Sequence, residues 1–179
     1  SYSSSLASGL DLLLDRNIST NTFTRAAISI PIEITPRSNI ISAQLNFTAA
    51  SDILITDSFN IIPMLATNVR NLLPGFNYPY IQDTAPITTF MPGAISSGTA
   101  FSVDITNIII KFISDPGFLP GYYKTMVIEP DAAVSADSSV RISNTISMDI
   151  IYEEITSGII FKVGVHIDPA TGIASFKTK

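Results

Sequence analysis

The amino-acid sequence predicts an all-β protein, a two-sheet antiparallel jelly-roll sandwich with one short helix and a C-terminal hairpin or arm. Three observations predict it. Apolar residues recur at every second position along several short runs, which is the spacing of a strand with one buried face. Turn-forming Gly, Pro, Asn and Asp separate these runs. The 179 residues suit one domain, and a chain of that size can fold without disulfides.

Residues 1–22 are predicted to form an N-terminal arm or an edge strand. A serine-rich lead is followed by Leu10, Leu12 and Leu14, which occupy alternate positions. Alternation places the three leucines on one side of an extended segment. Because that apolar side must be covered, we expect it to pack either on the body of the protein or on a neighbouring subunit.

Residues 23–156 are predicted to be the sandwich itself. Apolar residues recur at every second position of 26–34, and Pro31 within this run lacks a backbone donor, which favours an edge strand or a bulge. The next strand is expected to bury one face, whose residues are Ile41, Ala43, Leu45 and Phe47. Further strands are predicted at residues 53–62, 101–105, 122–130, 140–142 and 147–155.

One helix is predicted to interrupt the strands. Its apolar residues follow the i, i+3, i+4, i+7 spacing of a helix face, and they are Ile105, Ile108, Ile109 and Phe112. Asp104 or Thr106 is the expected N-cap, and the helix is expected to end near residues 115–117. Residues 63–98 are rich in Pro, Asn and Gly, and we expect them to form a structured loop on the sandwich.

Residues 157–179 are predicted to form a C-terminal hairpin or arm. Two apolar runs, residues 159–166 and 173–178, flank a turn sequence at residues 168–172. The first run contains Ile159, Phe161 and Val163, which must be buried on the body or on a neighbouring subunit. Together with the N-terminal leucines, these residues are the predicted assembly arms.

Composition and charge exclude several classes of partner. The net charge is −5 and the ten Lys and Arg residues are scattered, so a phosphate-binding surface for nucleic acid is not expected. No apolar run reaches the roughly 18 residues that a membrane-spanning helix needs. The sequence shows no signal-peptide pattern, so either a signal has been removed or the protein is assembled in a host cytoplasm, and the absence of cysteine fits the second alternative. Charged residues make up only 14%, and a weakly charged surface leaves room for interfaces.

Five segments between residues 23 and 155 resemble carbohydrate-binding-like jelly-roll domains of the DNRLRE type. Residues 25–32, an Arg followed by apolar alternation, and residues 40–45 look like two early strands of that family. Residues 101–109 are similar to its strand-then-helix element, and residues 121–131 and 138–144 look like its closing strands. The resemblance covers about two thirds of the chain, and it implies a jelly roll more than it implies sugar binding. The Trp common in the family's helix is absent here, residues 63–98 are longer than its pattern, and the final hairpin lies outside it.

The titratable residues form no catalytic group that the sequence reveals. His166 is the only histidine and no nucleophile stands beside it, so we interpret it as a solvent-facing strand residue rather than a relay or a metal ligand. Glu153 and Glu154 are adjacent in a strand and point to opposite faces, which makes them a poor carboxylate pair. Loop-capping is preferred over Ca²⁺ ligation for three aspartates, Asp131, Asp137 and Asp149. The sequence predicts no catalytic residue, metal or cofactor.

One aromatic segment is the predicted contact site. Asn77, Tyr78, Tyr80 and Gln82 combine aromatic rings with amides, which suits stacking on a sugar or anchoring a subunit contact. We prefer the subunit contact. The neighbouring pair Tyr122 and Tyr123 is interpreted as ordinary sheet packing.

These features predict a non-enzymatic structural and assembly protein of a bacteriophage virion, such as a capsid decoration, cement, head-fibre or tail-associated protein. Its expected partners are copies of itself, in a closed oligomer such as a trimer, and other virion proteins. The alternative is a carbohydrate-binding module that mediates surface attachment. A third and weaker reading is a hydrolase whose active site forms between subunits.

Overall fold

The computed structural model describes residues 11–20, 22–36, 38–54, 56–64, 88–91, 93–131, 137–156, 159–168 and 173–178; for residue 23 and from residue 155 onward it describes the backbone alone. The strands and the helix of these residues are numbered along the chain. They are β1 (Leu12–Asn17), β2 (Thr22–Thr24), β3 (Ala26–Ile32), β4 (Asn39–Thr48), β5 (Phe59–Pro63), β6 (Thr88–Phe90), β7 (Ala100–Asp104), α1 (Thr106–Ile113), β8 (Tyr122–Pro130), β9 (Ser138–Ile142), β10 (Ser147–Thr156), β11 (Ile159–Asp168) and β12 (Ile173–Thr178).

The strands form three antiparallel sheets, where the sequence predicts two. The strand order is β2-β1-β9 in a three-stranded sheet, β3-β8-β5-β6 in a four-stranded sheet and β12-β11-β10-β4-β7 in a five-stranded sheet. The predicted all-β class, with antiparallel pairing and a short helix, is therefore confirmed for the described residues. The additional sheet depends on the pairing of β1 with β9, which are far apart in the sequence.

Strand β3 follows the predicted alternation. Ile30 and Ile32 are each 1% exposed, whereas Ser29 is partly exposed on the other face. Pro31 lies in this strand, and β3 is an edge strand of the four-stranded sheet. The prediction from the missing proline donor is therefore confirmed.

Strand β4 departs from its predicted alternation at one position. Its later apolar residues are buried as predicted, but Ile41 is 44% exposed and its neighbour Ile40 is buried. The pairing with β10 shifts register between Ile151 and Tyr152, so that β4 has one extra residue at Ile41. This β-bulge reverses the facing of the first residues of the strand. The prediction that Ile41 lies in the core was wrong for that reason.

Helix α1 forms where the apolar spacing predicts it, although its start is one position away from both predicted caps. The N-cap residue is Ile105, and its side chain makes no capping hydrogen bond. Asp104 instead accepts a hydrogen bond from the Thr106 amide at 2.8 Å. The Thr106 hydroxyl accepts one from the Ala43 amide of β4 at 2.9 Å, which ties the helix to the five-stranded sheet. No helix in the described part of the chain is long and apolar enough to cross a membrane.

One hydrophobic core joins the three sheets and the helix. Phe47 of β4 meets Phe59 of β5 edge to face, with ring centroids 6.2 Å apart. Phe101 of β7 stacks on Phe47 and on Phe90 of β6, at 5.4 Å in both cases. Because β4 and β7 belong to the five-stranded sheet and β5 and β6 to the four-stranded sheet, these rings show that the two larger sheets face each other across the core.

The N-terminal strand belongs to the body of its own chain. β1 lies between β2 and β9, so it is a central strand of the three-stranded sheet rather than an edge strand. Leu14 is 1% exposed in the common core, and Leu12 is partly buried against it. Leu10 lies outside the described residues.

The C-terminal hairpin consists of β11 and β12 and extends the five-stranded sheet. The predicted strands are confirmed, and β11 pairs with β10 over nine residues. Ile159, Phe161 and Val163 all lie in this paired part of β11. Residues 157–158, the predicted hinge, lie outside the described residues.

Candidate functional site

Lys124 is a buried cation on the inward face of β8. It shares that face with Met126 and Ile128 by strand alternation, and the residue is only 7% exposed. Its Nζ lies 5.9 Å from the ring centroid of Phe112 and 5.8 Å from that of Phe118. Both rings attract the ammonium through their negative faces. A cation so placed still needs a hydrogen-bonded anion, because its burial is costly without one.

Asp115 supplies that anion from the turn after α1. Its Oδ2 lies 3.2 Å from Lys124 Nζ, and its Oδ1 accepts a hydrogen bond from the Gly117 amide at 3.1 Å. The Gly117 amide first, and then the Lys124 ammonium, hold the pKa of the Asp115 carboxyl below its usual value of 3.8. The carboxylate is 52% exposed, so it faces both the lysine and water.

A cleft opens at this ion pair. Its volume is about 260 Å³, and its walls combine apolar surface with two ammonium groups and one carboxylate. The residues that line it are Met64, Lys111, Phe112, Ser114, Asp115, Pro116 and Lys124. This volume is below the roughly 300 Å³ at which typical small-molecule pockets begin, so the cleft has room only for a ligand smaller than usual.

A second polar cluster lies where the three-stranded sheet meets the start of β5. Asp57 is 4% exposed and accepts hydrogen bonds from the Leu54 amide at 2.8 Å and from the Ser138 hydroxyl at 2.9 Å. These bonds close a turn and attach it to β9. The role of this carboxylate is structural.

A charged pair between β2 and the end of β8 is also structural. Arg25 Nε meets Glu129 Oε2 at 2.7 Å, and both side chains are about four-fifths buried. Burial raises the pKa of the Glu129 carboxyl above its usual value of 4.5, while the Arg25 charge opposes the shift. Nearby, Ser58 donates a hydrogen bond to Asp131 at 3.3 Å.

The outer face of the five-stranded sheet carries a row of hydrogen-bonded polar side chains. The Ser102 hydroxyl donates a hydrogen bond to the side-chain oxygen Oδ1 of Asn46, and the side-chain Nδ2 of Asn46 donates one to Asp149 Oδ2, both at 2.7 Å. Asp149 pairs in register with His166 of β11 and with Gln44 of β4. This row therefore crosses three strands.

The turn between α1 and β8 exposes large apolar side chains. Leu119 is 54% exposed, Tyr122 is 44% exposed and Tyr123 is 42% exposed. The turn is fixed by a hydrogen bond from the Tyr122 amide to the Leu119 carbonyl at 3.1 Å, and Gly121 adopts a φ of +83° that favours glycine. Ordinary sheet packing does not describe the two tyrosines, since each keeps over two fifths of its surface in water.

The residues predicted as a contact site, Asn77, Tyr78, Tyr80 and Gln82, lie outside the described residues. Of the aspartates predicted as loop caps, Asp137 accepts a hydrogen bond from the Ile18 amide at 2.7 Å. Within the described residues, no group of three or more metal-binding side chains comes together.

The sequence alone does not predict the Lys124 cleft, although it contains one signal of a polar site. Lys124 occupies an inward position in a strand whose other inward residues are apolar. A charged residue at such a position requires a partner, and that requirement indicates a polar site nearby. Its partner, Asp115, is nine residues away, across a turn whose path the sequence does not define.

Comparison with known proteins finds no family model, no curated protein and no solved structure that matches this chain. Its function is therefore inferred from its own side chains and their arrangement.

Proposed function

We propose that this chain is a non-enzymatic structural protein of a larger assembly, a virion component of a bacteriophage such as a capsid decoration, cement, head-fibre or tail-associated protein. The observation that carries the proposal is the exposed apolar surface of Leu119, in the turn before β8, and of Tyr122 and Tyr123, which lie on opposite faces at the start of β8. Tyr is enriched at the hot spots of protein interfaces. Backbone hydrogen bonds close the turn.

Several charged side chains make contacts that hold the fold together, which supports the same proposal. Asp57 closes a turn, Arg25 joins the segment between β2 and β3 to Glu129 of β8, and Asp137 accepts a hydrogen bond from the loop after β1. In these places the charges serve the fold rather than a reaction. The weakly charged composition leaves neutral surface for copies of the chain or for other virion proteins.

The proposal includes a jelly-roll topology of the DNRLRE type. Its support is the alternation of successive strands between the two larger sheets: β3, β4 and β5 change sheet at each step, and so do β6, β7 and β8. A chain that wraps both sheets in this way is typical of jelly rolls.

Light scattering on the full chain tests the assembly function. We expect a closed oligomer, and we expect Tyr122→Ser combined with Tyr123→Ser to shift the mass to that of a monomer with the melting temperature nearly unchanged. Ile110→Ser, on the outer face of α1 and 41% exposed, is the matched control and should leave the mass unaltered. A full chain that stays monomeric at high concentration, or a double variant with the same mass as the parent, would refute the proposed contact.

A second candidate function is carbohydrate binding on the outer face of the five-stranded sheet. The row of Ser102, Asn46 and Asp149 favours it, because hydroxyl, amide and carboxylate groups on a flat surface can bind sugar hydroxyls. A glycan array probed with the full chain and with Asn46→Ala tests it. Binding that Asn46→Ala abolishes would favour this function, and the absence of any bound glycan would remove it.

A further inference from the structure

We propose that the cleft beside α1 binds a small organic carboxylate that has an apolar body. The cleft adjoins the tyrosine site, because Ser114, Asp115 and Pro116 belong to the turn before β8. The proposal uses none of the side chains of Leu119, Tyr122 and Tyr123, so it does not rest on the assembly function. Three properties of the cleft lead to it: its charge, its walls and its size.

The charge of the cleft favours an anion. Lys111 and Lys124 supply two ammonium groups, whereas Asp115 supplies one carboxylate. Among the described residues, no Asp or Glu forms an ion pair with Lys111. Lys124 Nζ carries three donors, and one of them is directed to Asp115 at 3.2 Å. A ligand carboxylate would therefore meet two lysines and one aspartate, and it would neutralise the excess positive charge.

The walls of the cleft favour an apolar body attached to that anion. Met64, Phe112 and Pro116 contribute uncharged surface next to the two lysines. Apolar walls with a few well-placed polar groups are typical of sites for small organic ligands. Inorganic phosphate would use the lysines but would leave this apolar surface uncovered. The volume of about 260 Å³ limits the ligand to a short acyl chain or a single ring.

Methionine methyl groups provide a direct measurement. The chain has four methionines: Met64 lines the cleft, Met91 is 75% exposed at the end of β6, and Met126 and Met148 lie in the core. In the full chain labelled with ¹³C at the methionine methyls, hexanoate should shift the Met64 resonance saturably and leave the other three in place. Met64→Leu assigns the resonance. Hexanamide, which has the same chain without the charge, should have little effect.

Two variants test the role of charge. Lys111→Gln should weaken hexanoate binding about tenfold, which is the usual loss when a hydrogen bond to a charged group is removed. Arg141→Gln is the matched control, because it removes one exposed positive charge from β9 and should leave the dissociation constant unchanged. Lys111 is exposed, so its replacement should have little effect on folding.

Several results would overturn the proposal. They are a Met64 resonance that hexanoate does not move, an equal effect of hexanamide, and unchanged binding in Lys111→Gln. An equal shift with inorganic phosphate would also overturn it, because the apolar walls would then contribute nothing. None of these results bears on the oligomeric state, so failure here and failure of the assembly function are distinguishable.

Discussion

Asp57 shows how much one buried carboxylate contributes to this fold. It accepts a part-buried hydrogen bond from the Leu54 amide and a buried one from the Ser138 hydroxyl. Asp57→Ala would leave the Leu54 amide and the Ser138 hydroxyl without that acceptor. We expect the free energy of unfolding in urea to fall by about 3 kcal/mol, since each buried polar group left unpaired costs about 1–3 kcal/mol.

Asp137→Ala is the control for that measurement. Asp137 also accepts a backbone hydrogen bond, from Ile18, but both residues are exposed. Water can replace the lost acceptor, so we expect a loss of about 0.5–1 kcal/mol. Equal losses for the two variants would show that burial does not set the contribution of Asp57.

Asp115 makes stability depend on pH in acid. Its pKa is lower in the folded chain than its usual value of 3.8, because the folded state stabilises the ionised form. Its contribution is therefore present above pH 3.8 and is lost as the pH falls through the lowered pKa. We expect the difference in unfolding free energy between the parent and Asp115→Asn, measured by urea denaturation, to shrink as the pH falls below 3.8.

The contribution of Glu129 to stability should change with pH in the opposite direction. Burial raises its pKa above 4.5 in the folded chain, so the folded state favours the protonated carboxyl. The associated stability is present at low pH and is lost as the pH rises through the raised pKa. Relative to Glu129→Gln, the parent should therefore gain stability as the pH is lowered from 7 toward 4.5. A difference that changes in the same direction as for Asp115→Asn would contradict this assignment.

The candidate cleft illustrates which side-chain features a sequence reveals. The inward position of Lys124 follows from strand alternation and could be predicted from residues 122–130. The identity of its partner could not, because Asp115 reaches it through a turn and through a glycine amide. Met64, which directly follows β5, lines the same cleft. Its position beside Lys124 depends on how the strands pack, which the sequence pattern does not reveal.

At the scale of elements, the bulge in β4 gives two neighbouring isoleucines opposite environments. Ile40 is 8% exposed and Ile41 is 44% exposed. We expect Ile40→Ala to lower the free energy of unfolding by about 2–4 kcal/mol, as is usual for a buried isoleucine. Ile41→Ala should cost about 0.5 kcal/mol or less. Chemical denaturation of both variants measures the contrast, and equal losses would place the bulge elsewhere.

The strands show where local pattern is sufficient and where it is not. Alternation predicted β3, β4 and the C-terminal hairpin, because each of these segments has one apolar face. Alternation placed Ile41 on the wrong face. The β-bulge adds one residue to β4, so the side chains that precede it point to the opposite face from the one predicted. Alternation also could not predict the partner strand of β1. Leu12 pairs with Ile142, and no local pattern in the sequence connects these two segments.

Removing the C-terminal hairpin tests its contribution to the sheet. β11 covers the edge of β10 from Met148 to Thr156, so a chain that ends at residue 156 would expose a long edge strand. Exposed edges are templates for aggregation. We expect the shortened chain to melt at a lower temperature and to scatter more light as its concentration rises. A shortened chain that is monomeric and as stable as the full one would show that the hairpin is a separate appendage.

At the scale of the whole molecule, the shared core predicts cooperative unfolding. The core contains residues from all three sheets and from α1, so no sheet can lose its packing alone. Small single domains with one core usually unfold in one step. The chain has six tyrosines and no tryptophan, so tyrosine fluorescence and far-ultraviolet circular dichroism follow tertiary and secondary structure. We expect their thermal transitions to coincide, and separated midpoints would indicate that one sheet unfolds first.

The pairing of β1 with β9 and of β3 with β8 also has a consequence for biosynthesis. A ribosome makes β1 and β3 roughly a hundred residues before their partners, so both strands must wait while most of the chain is translated. Folds dominated by such distant pairings have high contact order and typically fold in about milliseconds to seconds. Until β8 and β9 emerge, the nascent chain carries unpaired strands, and exposed strand edges of this kind favour aggregation.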